Sequence, residues 1–161
     1  MQVVKPHQIR HHYIQSLIAS PDRVFPLLCP VREVDWAPGW APRLVVSESG
    51  VMEERCLFVT PEDENAEAIW IATRHDPRAL SLELWRIIPD HTASRFEIEL
   101  TPAPDGHTAA SITYACTSLG PAGDRFLDSC TVDWYEGVMR HWEQSLNYYL
   151  EHGKMIPAPV N

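Results

Sequence analysis

The sequence has no CxxC pair, no long apolar run and no basic cluster, and each absence removes a class of function. Its four cysteines, Cys29, Cys56, Cys116 and Cys130, are scattered. That pattern argues against a spacing-defined zinc or redox motif and for reduced, packed thiols rather than a disulfide framework. The longest apolar runs are a few residues long, too short to cross a bilayer, and the opening MQVVKPHQIRHH lacks the layout of a secretory signal. A cytoplasmic protein with no membrane insertion is expected. Basic residues number 13 against 22 acidic, for a formal charge of −9. That balance disfavours phosphate backbones, so no nucleic-acid partner is expected. GxSxG, GxGxxG, HExxH and a phosphate-cradling glycine loop are also missing, which leaves serine-hydrolase and nucleotide-dependent chemistry without a motif. No cofactor and no metal is expected; His11 and His12 are adjacent in a strand and diverge.

What is present is an ordinary globular composition, 45% apolar and 22% charged over 161 residues, within the range of one domain. Strand-like residues from His12 to Ile18 end at Ala19-Ser20-Pro21-Asp22. There Ser20 suits a helix cap, Pro21 the first helical position and Asp22 the positive end of the dipole. A short helix over Asp22–Leu28 should follow, then a second short helical turn after Pro30, stopped by Pro38-Gly39. From residue 43 the pattern is one of hairpins. Strands are expected over Arg43–Ser49, Glu53–Thr60, Ala68–His75, Leu80–Ile88, Ala93–Thr101 and Thr108–Ser118, separated by turn residues. Phe96, Ile98 and Leu100 alternate with Arg95, Glu97 and Glu99, so one face is buried and the other wet. After Gly120-Pro121-Ala122-Gly123 the period becomes helical. Leu127, Cys130, Trp134, Val138 and Trp142 form a stripe widened by Tyr135, Met139, Leu146, Tyr149 and Leu150. One helix of roughly 28 residues, about 42 Å long, is expected, stopping at Gly153.

The order is one strand, two short helices, six strands and one long helix. With it, Ala19-Ser20-Pro21-Asp22-Arg23-Val24-Phe25 resembles the strand-to-helix junction of the START-like SRPBCC superfamily. Asp35-Trp36-Ala37-Pro38-Gly39 resembles its Trp-x-Pro stretch, and Trp142 to Leu150 its gripping helix. The resemblance spans nearly the whole chain in layout. It implies a single α+β helix-grip domain over residues 1–161: a curved seven-stranded antiparallel β-sheet around a long C-terminal helix, with two short helices after strand one. It further implies a cavity between sheet and helix, used for lipids or polyketide-like compounds in some members and for aromatase/cyclase chemistry in others.

A dry void of ~500 Å³ would cost on the order of 12 kcal/mol at ~24 cal/mol per Å³. Such a space is therefore filled by ligand, by water on polar groups, or by the chain's own six tryptophans, five tyrosines and four phenylalanines. The expected partner is a small hydrophobic ligand, bound by Trp36, Trp40, Trp70, Tyr114, Trp134, Val138 and Trp142; the oligomeric state is open. Trp36 and Trp40 flank the Pro-Gly turn and are read as a rim, or alternatively as core anchors whose indole N–H groups reach Glu33 or Asp35. Trp134, Val138 and Trp142 share a helical face and should point at the sheet. Whether the chain is an enzyme is open. Acid–base candidates are Glu33, Asp35, Glu54, His75 and Asp76, with Glu53 and Glu54 on opposite faces of a strand. The alternatives are an aromatase/cyclase-type enzyme acting in the same cavity, and a protein-interaction module with a collapsed core.

Overall fold

The computed structural model describes residues 1, 3–62 and 66–158. The acidic turn expected around Asp63-Glu64-Asn65 lies outside them. Seven strands run β1 (Gln8–Leu17), β2 (Leu44–Val46), β3 (Leu57–Pro61), β4 (Glu67–Asp76), β5 (Ser81–Ile88), β6 (Thr92–Pro102) and β7 (Thr108–Ser118). They form one antiparallel sheet in the order β1-β7-β6-β5-β4-β3-β2. Strands two to seven are joined in sequence, while β1 returns to the far edge beside β7. The helical segments between β1 and β2 fill that crossing. They are α1 (Pro21–Val24) and two short 3₁₀ turns, Phe25–Leu27 and Glu33–Asp35. Pro21 stands at the first helical position as expected, and Ser20 accepts the first backbone bonds through its carbonyl rather than its hydroxyl.

Alternation sets the faces. Thr92, Ser94, Ile98 and Leu100 on β6, and Thr108, Ala110, Ile112, Tyr114 and Cys116 on β7, are buried toward the helix side. Leu82 and Leu84 continue that face on β5, while Leu80 stands in the preceding turn with φ 53°. Glu53 and Glu54 do not lie in a strand. They sit in the turn before β3, where Glu53 accepts backbone N–H groups of Glu48 and Ser49 and Glu54 is exposed.

The expected single C-terminal helix is two helices, α2 (Pro121–Ser129) and α3 (Val132–His152). The break falls at Cys130-Thr131. Thr131 is extended (φ −68°, ψ 167°) and its hydroxyl accepts the Trp134 N–H, so it caps a new helix. Gly153 ends α3 with φ 67°, a left-handed position that suits glycine. Polar contacts fix α3 on β1. Buried Gln15 donates to the Met139 carbonyl at 2.9 Å, and Asn147 bonds both the Ser16 carbonyl and the Ile18 N–H.

Packing corrects the orientation of α3. The residues pressed against the sheet are Tyr135, Met139 and Leu146, whereas Trp134 and Val138 remain 40% and 42% exposed. The apolar stripe is wide enough for either arc to face inward, and the helix sits rotated by about one residue, or ~100°, from the expected arc.

On α2, Gly123 lies against the turn between β5 and β6. A β-carbon there would collide with the His91 carbonyl oxygen and meet Ser118 Oγ at 2.8 Å. Neither backbone can yield cheaply, so Gly123→Ala should lower stability by about 1–3 kcal/mol. Chemical denaturation of the two proteins measures this, and an unchanged midpoint would show that α2 is not held at this contact.

Candidate ligand-binding site

Two adjoining cavities lie between the concave face of the sheet and α3. The first, of about 190 Å³, is lined by Glu33, Trp40, Phe58, Trp70, Ile98 and Trp142 among others. The second, of about 310 Å³, is lined by Arg86, Tyr114, Phe126, Trp134 and Tyr135 among others. Trp70, Phe96, Val138 and Met139 line both. Half-exposed Trp134 and Val138 therefore mark where the space meets solvent.

The floor is an aromatic row built by strand register. Phe58 of β3 pairs with Trp70 of β4, and Phe96 of β6 with Tyr114 of β7. Ring centroids follow at 5.3 Å from Phe58 to Trp70, 5.5 Å from Trp70 to Phe96 and 4.9 Å from Phe96 to Tyr114. Tyr135 of α3 continues the row 5.8 Å beyond Tyr114, and Trp40 meets Trp70 edge-on at 5.7 Å. Inward residues on neighbouring strands stand within contact of one another, so a sheet places flat side chains as a continuous surface.

Polar groups in this surface are mostly committed to the protein. Trp70 Nε1–H donates to Thr60 Oγ1 at 2.9 Å, Tyr135 Oη–H to the Ile112 carbonyl at 3.2 Å, and Tyr114 Oη pairs with Ser94 Oγ at 3.3 Å. Burial holds both tyrosine hydroxyls well above their ordinary pKa, so they stay neutral. Arg86 lies over the Trp70 ring, 5.6 Å from its centroid, and is ion-paired with Glu62.

The Trp142 indole N–H, which has no hydrogen-bond partner among the described residues, and the carboxyl of Glu33 are exceptions. Its 3₁₀ turn is closed by backbone bonds from Glu33 N–H to the Cys29 carbonyl and from the Trp36 and Ala37 N–H groups to the Glu33 carbonyl. The side chain, 7% exposed, lines the first cavity, and none of the protein's side-chain hydrogen bonds among the described residues reaches it. Burial among apolar groups pushes its pKa up to about 8. The indoles expected to bond it do not. Trp36 Nε1–H donates to the Leu27 carbonyl at 3.0 Å and Trp40 Nε1–H to the Pro30 carbonyl at 2.9 Å. Both take backbone acceptors within their own loop, which leaves the carboxyl free.

Of the residues expected to bind ligand, Trp40, Trp70, Val138 and Trp142 meet in the first cavity, and Trp70, Tyr114, Trp134 and Val138 in the second. Trp36 lines neither. It is wholly buried, with its ring 5.4 Å from Trp142, and is a core anchor rather than a rim. Phe58, Phe96, Met139 and Tyr135 were not among the expected residues; the Phe96 alternation and the Tyr135–Met139 spacing were the signals that could have found them. The other acid–base candidates lie elsewhere. Asp35 is paired with Arg32 at the surface, and Asp76 accepts the Arg78 and Ala79 N–H groups of its turn. His75 stacks on Phe25 at 5.1 Å, and burial lowers its pKa.

A curved antiparallel sheet closed by a C-terminal helix over an aromatic cavity defines the helix-grip class, and the chain has the helix-grip fold of the START-like SRPBCC superfamily. Solved structures agree. Norcoclaurine synthase from Thalictrum flavum matches with a TM-score of 0.65 at 11% identity, over 91% of this chain and 88% of that one. Ara h 8.0201 matches at 0.60 and 11%, over 90% and 99%. Mll3558 from Rhizobium loti matches at 0.59 and 16%, over 89% and 98%. The norcoclaurine synthase has also been solved in complex with dopamine and hydroxybenzaldehyde. No protein-family model and no curated protein matches the sequence.

Proposed function

We propose that this protein binds a small, flat hydrophobic molecule between sheet and helix α3, as a cytoplasmic carrier or receptor for a lipid or polycyclic aromatic compound. The observation that supports this most is the aromatic row beneath two adjoining cavities that open beside Val138 and Trp134. A cavity of about 150 Å³ already accepts a benzene ring, so the two spaces suit two or three fused rings. The contact set is Trp40, Trp70, Tyr114, Trp134, Val138 and Trp142; Trp36 supports it from behind. Four buried, unpaired cysteines fit a reducing compartment. In the norcoclaurine synthase complex a fold of this kind accommodates small aromatic molecules.

Native mass spectrometry and organic extraction of the purified protein test the reading directly, followed by titration with 2-ethylnaphthalene. Val138→Trp places an indole across the opening and should weaken that probe at least tenfold while leaving the melting temperature nearly unchanged. A wild-type protein that carries nothing and ignores the probe, or a Val138→Trp variant that binds it equally well, would count against the proposal. Catalysis of the aromatase/cyclase kind on the same bound molecule is the second reading, supported by Tyr114 and Glu33 in the cavity walls.

A further inference from the structure

Glu33 is a carboxyl group without a bonded partner among the described residues. Around it the first cavity presents Met52, Phe58 and Leu84, which offer no N–H or O–H; the Trp40 N–H is taken by the Pro30 carbonyl, and no bond joins the Trp142 N–H to the carboxyl. Its oxygens face the cavity, so its partner comes from there: a ligand, or a water molecule, which needs two to four polar partners to be held well. Among the described side chains lining the cavity, the carboxyl and the Trp142 indole N–H are the polar groups without a partner. No cation among the described residues is paired with the carboxyl either. Arg32, its neighbour in sequence, is turned to Asp35 and Tyr149, and Arg86 lies in the other cavity, paired with Glu62. Cys29, one turn back, accepts the Met52 N–H on its sulfur. Tyr114 and Tyr135 line only the second cavity.

Resting on the binding function proposed above, we infer that Glu33 is the polar anchor of the site: its neutral carboxyl O–H donates a hydrogen bond to the carbonyl oxygen of an otherwise apolar aromatic ligand. A carbonyl brings an acceptor and no charge, so it satisfies the O–H without the desolvation that an ammonium would suffer in this cavity. A hydrocarbon of the same shape gains the same burial and leaves Glu33 unpaired. The carboxyl therefore makes the cavity discriminate between molecules of equal size.

Three probes of one shape test this: 2-acetylnaphthalene, 2-ethylnaphthalene and 1-(2-naphthyl)ethylamine, titrated into wild type, Glu33→Gln and Glu33→Leu at pH 6.5 and pH 9. At pH 6.5 the ketone should bind wild type about tenfold more tightly than the hydrocarbon. That preference should survive in Glu33→Gln, whose amide N–H also donates, and disappear in Glu33→Leu. At pH 9 wild type should lose most of it as Glu33 ionises, while Glu33→Gln keeps it. Equal affinity for ketone and hydrocarbon, or tightest binding of the amine, would overturn the inference while leaving hydrophobic binding intact. Failure of all three to bind would overturn both. Should Glu33→Leu not fold, the pH comparison between wild type and Glu33→Gln decides alone.

Discussion

Replacing Glu33 by glutamine is expected to remove a large loss of stability that the wild-type protein suffers on the alkaline side. The ordinary glutamate value is 4.5, and burial raises Glu33 to about 8 in the folded chain. Between these values the folded state holds a proton that the unfolded state has released. Fewer protons in the unfolded state make stability fall as pH rises. The contribution of Glu33 to the folded state is complete below pH 4.5, declines through the neutral range and is lost above pH 8. The difference amounts to about 5 kcal/mol at ~1.4 kcal/mol per pH unit, comparable to the whole stability of a marginal domain, about 5–15 kcal/mol. Glutamine cannot ionise, so the variant should gain on wild type steadily from pH 5 to about pH 8 in denaturation experiments and hold that advantage at higher pH. Parallel curves for the two proteins would mean that Glu33 reaches solvent or a cation when folded.

Trp36→Ala should be the most damaging single truncation among the tryptophans. Trp36 is wholly buried, packs on Trp142 and satisfies the Leu27 carbonyl. Removing it deletes that packing and orphans a buried acceptor, at a cost of about 3–5 kcal/mol, or a fall in melting temperature of roughly 6–20 °C for a chain of this size. Trp40→Ala removes a half-buried ring from the cavity wall and should cost less stability while changing probe affinity more. Thermal unfolding of both variants, with 2-ethylnaphthalene titration of Trp40→Ala, checks the contrast. If Trp36→Ala melts as wild type does, the two indoles have been assigned the wrong roles.

The strand layout could be read because its signals are local. Phe96, Ile98 and Leu100 against Glu97 and Glu99 state their face outright, and the expected Thr108–Ser118 matches β7 residue for residue. The helix break could not, because apolar residues keep their spacing through Cys130-Thr131 and only the extended backbone of Thr131 reveals a cap. Nor did periodicity decide between the Trp134–Val138 and Tyr135–Met139 arcs, since both are apolar and only contact with the sheet separates them. Glu33 was visible as a titratable group near two indoles. Its isolation depends on where the Trp36 and Trp40 N–H groups go, and that is a matter of loop geometry.

The interruption between α2 and α3 has a mechanical side. Phe126 and Trp134, on either side of it, meet edge-to-face at 5.9 Å along the second cavity. The joint carries its own closures: Cys130 N–H bonds the Leu127 carbonyl, Thr131 Oγ1 accepts the Trp134 N–H, and His11 Nε2 reaches the Cys130 carbonyl at 2.7 Å. An unbroken rod would have to give up ladder bonds in order to flex. This one turns on two residues whose backbone and hydroxyl groups are already bonded, so the chain changes direction beside the cavity without orphaning a polar group.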